Sequence, residues 1–84
     1  MRVLVADDES LIRDGLKSML NELETPVEVI GEAANGREMV QLVKELKPEL
    51  VFVDIKMPVV NGLEAIEECK KFVPDTYWVV LTGF

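Results

Sequence analysis

The sequence contains no histidine. Without an imidazole, Ser-His and Cys-His catalysis is excluded, and so are most zinc sites. There is one cysteine, Cys69, so no internal disulfide can form and a reducing, cytoplasmic location is expected. Basic residues are scarce: nine Lys and Arg stand against sixteen Asp and Glu, for a formal charge of −7. Phosphate binding needs clustered Lys and Arg, so direct nucleic-acid contact by this segment is not expected. No apolar stretch approaches the ~20 residues of a membrane helix. No charged segment followed by a long apolar core marks a signal peptide, and a membrane partner is not expected. Low-complexity tracts, internal repeats and flexible linkers are also missing.

What is present is a small, well-punctuated chain. Its 84 residues suffice for one small domain. A chain of this size buries roughly 60–65 % of its unfolded surface. Arg2–Ala6 is an apolar run, followed by Ser10 as a candidate N-cap and by Ile12, Leu16, Met19, Leu20 and Leu23 at helical spacing. Thr25-Pro26 ends that helix. Val27–Ala33 reads as a second strand and Asn35-Gly36 as a turn. Met39, Val40, Leu42, Val43 and Leu46 form a second helical stripe, stopped by Pro48. Leu50–Val53 is a third strand, 56–62 a loop, Leu63–Phe72 a third helix with Ile66 and Cys69 inward, and Tyr77–Leu81 a fourth strand. The order β-α-β-α-β-α-β is that of an open parallel α/β sheet with right-handed crossovers.

The chemistry-bearing residues fall at the ends of the apolar runs. Asp7 and Asp8 follow the first and Asp54 the third, while Thr82 follows the fourth. The first and third runs read as strands buried on both faces. If these two are parallel neighbours, all three carboxylates crowd one sheet edge, where open α/β sheets bind ligands. Carboxylates repel and resist desolvation, and a hard divalent cation with oxygen ligands is the natural partner. A plainer reading is also open: Asp7 ends a strand, and Asp8 caps the helix beginning near Ser10. It leaves Asp54 unexplained. Met57-Pro58 and Gly62 read first as turn chemistry, with Gly permitting an unusual φ. Cys69 reads as a small core residue. Trp78 and Phe84 suit a core or an interface.

Three segments carry a family resemblance: Val3-Leu-Val-Ala-Asp-Asp-Glu9, Leu50-Val-Phe-Val-Asp-Ile-Lys-Met-Pro58 with Asn61-Gly62, and Val79-Val-Leu-Thr-Gly83. In residues and spacing the chain resembles the receiver domain of two-component response regulators, over its whole length. The resemblance implies a flavodoxin-like sheet of order 2-1-3-4 and a signalling domain rather than an enzyme. It implies that Asp54 is the phosphoacceptor, taking a phosphoryl group from a sensor histidine kinase. Asp8 and Asp54 would bind Mg²⁺ directly, Asp7 would hold a metal-bound water, and the Lys56 backbone carbonyl would be a further ligand. Thr82 would hydrogen-bond a phosphoryl oxygen and report phosphorylation. The Lys56 side chain reads as an ordinary surface lysine.

A complete receiver is expected to continue through a fourth helix, a fifth strand and a fifth helix. These would bring a Lys that contacts the phosphoryl group and an aromatic residue coupled to the Thr. Residues 1–84 are therefore expected to be the N-terminal portion of a receiver. The parent is expected to be a transcription factor, with a resemblance to receivers joined to AraC-type helix-turn-helix domains. Without the later elements, the fourth strand becomes an exposed edge and the sheet face beside the first helix is bared. Self-association through that edge or face is expected. Two other functions stay open: a docking or dimerisation module that is not phosphorylated, and an Asp-nucleophile phosphohydrolase of the haloacid-dehalogenase kind. The latter has a second acid two residues after its nucleophile, where this chain has Lys56.

Overall fold

The structure, a computed structural model, describes residues 1–81. Seven elements alternate: β1 (Arg2–Ala6), α1 (Ser10–Asn21), β2 (Glu28–Ala33), α2 (Gly36–Leu46), β3 (Leu50–Asp54), α3 (Gly62–Cys69) and β4 (Tyr77–Leu81). All strand pairs are parallel, in the order β2-β1-β3-β4. This is the flavodoxin-like arrangement the receiver resemblance implies. Parallel strands need crossovers, and the helices supply them. The β1–β2 register slips by one between Val3 and Leu4, passing over Ile30.

Alternation along the strands sorts the core into two layers. Leu4, Ala6, Val51 and Val53 face α2 and α3, meeting Met39, Val43, Ala65, Ile66 and Cys69. Val3 and Val5 face α1, meeting Leu20 with Leu16, Val29, Leu50 and Phe52 at the margin. The first layer is the larger and drier. The apolar stripe of α2 explains it, because Met39, Val40 and Val43 recur at helical spacing and all are buried.

Several local expectations are corrected. Ser10 is the first residue of α1 rather than its cap. Glu9 takes the N-cap position in extended backbone with no side-chain cap bond. Helix α1 stops at Asn21, short of Leu23, with Glu22 as its C-cap. Asn35-Gly36 is not a free turn: the Asn35 side chain accepts from the Glu38 N–H at 2.9 Å and caps α2. Helix α3 likewise begins at Gly62, capped by Asn61, and ends at Cys69 rather than Phe72. Strand β1 is buried on both faces, as expected, but β3 is not. Val51 and Val53 are buried whereas Leu50 and Phe52 are half-buried. The reason is that α1 packs over β1, and no described helix covers the same face of β3 and β4. Strand β4 lies at the sheet edge, with Tyr77 72 %, Val79 38 % and Val80 40 % exposed.

Candidate functional site

Strands β1 and β3 are direct neighbours, with Ala6 opposite Val53. Their carboxyl ends therefore coincide, and the residues that follow meet. Carboxylate oxygens of Asp7, Asp8 and Asp54 all lie within 4.8 Å of one another. Asp7 is buried, only 4 % exposed, Asp54 is half-buried and Asp8 is exposed. Thus the three residues picked out from the ends of separate apolar runs form one group. The bland reading of strand end plus helix cap fails for Asp8, because the cap position belongs to Glu9.

Two of the three carboxylates are held by local backbone. Asp7 Oδ1 accepts from the Glu9 N–H at 2.9 Å. Asp54 Oδ1 accepts from the Lys56 N–H at 3.1 Å, which puts the Lys56 backbone beside the cluster. Asp7 is also fixed through its own N–H, which donates to the Ala33 carbonyl at 2.9 Å. Burial pushes the Asp7 carboxyl above its ordinary value. The Glu9 N–H opposes that rise, and repulsion from Asp54, Asp8 and Glu9 adds to it. A cation among the three would reverse the repulsion. The donor set fits a hard divalent ion: oxygen only, three carboxylates, and one exposed side on which water ligands can remain. Thr82, the fourth expected site residue, lies outside the described residues.

The loop after β3 is built to hold Asp54 in place. Gly62 N–H donates to the Ile55 carbonyl at 2.8 Å. A Cβ on Gly62 would run into the Asp54 carbonyl oxygen and the Ile55 Cα. Gly62 is therefore required for close backbone approach, not for an unusual φ, since no glycine among the described residues has positive φ. Gly36 makes a similar approach to the Val60 carbonyl, tying the start of α2 to the same loop. The unusual backbone falls instead on Val59, with φ 70°, between Pro58 and Val60, where the Val60 N–H donates to the Pro58 carbonyl at 2.9 Å. A β-branched residue there is strained, costing on the order of 1–3 kcal/mol.

One residue at the site has no signal in the apolar pattern. Arg13, on α1, donates from Nη1 to the Asp7 carbonyl at 2.6 Å and from Nε to Glu32 Oε1 at 3.0 Å. Lys17 completes the group, at 2.8 Å from Glu32 and 3.4 Å from Asp14. The hydrogen bond from Lys17, more than that from Arg13, holds the Glu32 carboxyl below its ordinary range. Finding Arg13 from sequence would have required the rotational setting of α1 on the sheet.

Comparison with known proteins agrees with this geometry. Residues 3–84 match the family described as response regulator receiver domain. The chain is 46 % identical over 82 residues to the chemotaxis protein CheY of Thermotoga maritima, covering 98 % of this chain and 67 % of that one. It is 42 % identical over 82 residues to the response regulator GacA of Pseudomonas aeruginosa, covering 98 % of this chain but 38 % of GacA. The crystal structure of the response regulator domain of Thermotoga maritima CheB superposes with a TM-score of 0.91 at 36 % identity, over 98 % of this chain and 60 % of that one. The chain thus spans about two fifths of the transcriptional regulatory proteins and of the GacA response regulator that it matches. With its sheet order, its loop and its matched residues all in agreement, the chain belongs to the response regulator receiver domain family.

Proposed function

We propose that residues 1–84 are the N-terminal portion of a phosphoacceptor domain in a two-component phosphorelay. The observation that carries this is the convergence of Asp7, Asp8 and Asp54 within 4.8 Å where two adjacent parallel strands end. In this reading Asp54 is the nucleophile. Its carboxylate oxygen attacks the phosphorus of a phosphohistidine on a sensor kinase; an O–P bond forms, the P–N bond breaks, and the imidazole leaves with its electron pair. Asp8 and Asp54 would be direct ligands of Mg²⁺, Asp7 would hold one of its waters, and the Lys56 carbonyl would be a further ligand. When bound, Mg²⁺ neutralises the charge that gathers as an anionic carboxylate meets an anionic phosphoryl group. The Lys56 N–H on Asp54 Oδ1 orients the nucleophile, and its other oxygen has no hydrogen bond among the described residues. Thr82 would accept the role of phosphoryl hydrogen-bond donor.

The setting proposed is cytoplasmic, and no helix among the described residues is long and apolar enough to cross a membrane. The domain is proposed to act as a signalling module rather than an enzyme, controlling a transcriptional output domain, of AraC type on the sequence resemblance. GacA, a response regulator, supports the regulatory setting. The exposed β4 edge, with Tyr77, Val79 and Val80 uncovered, supports self-association of this chain. A monomer by light scattering at ~100 µM would overturn that part.

The central test is intact mass after incubation with Mg²⁺ and acetyl phosphate or phosphoramidate. The expected result is one added phosphoryl group on the unaltered chain and none on Asp54→Asn. A phosphoryl group that persists in Asp54→Asn, or Mg²⁺ binding unaffected by Asp8→Asn, would overturn the assignment.

A further inference from the structure

We propose that Arg13 is a positioning residue for the metal site, acting through the peptide that joins Asp7 to Asp8. The inference rests on the phosphoacceptor reading above. The Asp7 carbonyl belongs to that peptide, and the Arg13 Nη1 donates to it at 2.6 Å. On the other side of Asp7, the N–H is fixed on the Ala33 carbonyl at 2.9 Å. The backbone of Asp7 is thus gripped at both ends, by β2 through Ala33 and by α1 through Arg13.

This grip matters most for Asp8. Asp7 and Asp54 each have a carboxylate oxygen held by a backbone N–H. The Asp8 carboxylate has no such bond among the described residues, and it is exposed. The peptide that joins it to Asp7 is therefore the anchor that limits where it can reach. Arg13 is suited to fix that peptide. Its guanidinium is a rigid fork, and the second prong, Nε, is anchored on Glu32 at 3.0 Å. The side chain is only 18 % exposed, so its position is set by packing as well as charge. Glu32 is shared with Lys17 at 2.8 Å, which makes no hydrogen bond or ion pair with Asp7 among the described residues. Nature has therefore supplied an internal control: two cations on one carboxylate, of which one reaches the acidic cluster. Partners that orient a ligand without touching the metal are commonly worth 10–100-fold in metal affinity.

The experiment compares Arg13→Gln, Arg13→Lys and Lys17→Gln in the full chain. Mg²⁺ affinity is read by calorimetry, the Asp8 and Glu9 amide shifts by NMR, and thermal stability in chelator. The expected result is Mg²⁺ binding about tenfold weaker in Arg13→Gln. Arg13→Lys keeps the charge facing Glu32 but not the fork, and is expected to keep most of the stability and still bind Mg²⁺ weakly. Lys17→Gln is expected to lose stability and keep its Mg²⁺ affinity. Two results would overturn the role of Arg13 alone: unaltered Mg²⁺ affinity in both Arg13 variants, or losses in all three variants that track their melting temperatures. Absence of Mg²⁺ binding by the unaltered chain would instead overturn the metal reading, and the Arg13 role with it.

Discussion

At the ends of β1 and β3, three carboxylates lie within 4.8 Å of one another, and none of them is in a salt bridge among the described residues. At the end of β2, one carboxylate, Glu32, is held by two cations at 3.0 and 2.8 Å. The two clusters are joined by one side chain, Arg13. The Glu32 cluster is complete: its charges alternate, and it ties α1 to the sheet. The aspartate cluster is of one sign, and burial first, then repulsion within the cluster, pushes the Asp7 carboxyl up. A chain that can place Lys17 and Arg13 on Glu32 could equally have paired Asp54. Among the described residues Asp54 has no salt-bridge partner, the arrangement the proposed Mg²⁺ site calls for, whereas the Glu32 cluster balances its own charge.

The comparison is broken most severely by disturbing the backbone under Asp54. In Gly62→Ala, the new Cβ must displace the Asp54 carbonyl or the Ile55 Cα, and neither is the end of a flexible side chain. The expected loss is about 3 kcal/mol, or on the order of 15 °C in melting temperature for a domain this small. Thermal unfolding checks it, and a change of less than a few degrees would mean that the loop relaxes freely.

Mg²⁺ sharpens the comparison. An ion that binds only the folded chain stabilises it by about 2.7 kcal/mol at a hundred times its dissociation constant. The melting temperature is expected to rise with Mg²⁺ and to fall back with chelator. The same titration on Asp54→Asn should show a much smaller rise. Glu32→Gln, in the complete cluster, should leave most of the response in place.

The contrast between the clusters also explains what the sequence made legible. Asp7, Asp8 and Asp54 stand out because each follows an apolar run, and strand ends in a parallel sheet have a known direction. Their meeting followed once β1 and β3 were neighbours. Arg13 and Lys17 sit on a helix, and which strand they meet depends on how α1 is rotated, which no run of residues records. Gly62 reads from sequence as a glycine needed for its φ, and composition cannot distinguish that from one needed for closeness. Val59 carries no sequence signal, because nothing marks a valine as strained until the turn around it closes. Leu50 and Phe52 look as buried as Val51 and Val53, since apolar character shows what a residue prefers and not whether a helix lies above it.

Asp7→Asn tests the repulsive cluster with a smaller effect. The amide oxygen can still accept from the Glu9 N–H, so the geometry is kept while one buried charge is removed. In chelator the variant is expected to be more stable than the unaltered chain by about 1 kcal/mol. In Mg²⁺ the order should shrink or reverse, because the ion has lost a carboxylate. Chemical denaturation with and without the metal gives both numbers. A variant less stable under both conditions would show that the Asp7 charge is already balanced within the fold.

The smallest effect belongs to the complete cluster, and its sign is fixed by the direction of the Glu32 shift. Hydrogen bonds from Lys17 and Arg13 hold the Glu32 carboxyl below its ordinary value of 4.5 in the folded chain. The unfolded chain therefore takes up the Glu32 proton first as the solution is acidified. The stabilisation is fully present above about pH 4.5 and is lost as pH falls through the lower folded value. Glu32 is about a third exposed, so the gain is that of a surface pair, a few tenths of a kcal/mol up to about 1. Glu32→Gln should lose this amount at neutral pH, and its stability should converge on that of the unaltered chain in acid. It should also converge in 1 M salt, where screening acts over about 3 Å. Denaturation curves at matched pH and salt measure the difference. A gap that persists in acid would mean that Glu32 acts through packing, and that the complete cluster is held by shape rather than by its alternating charges.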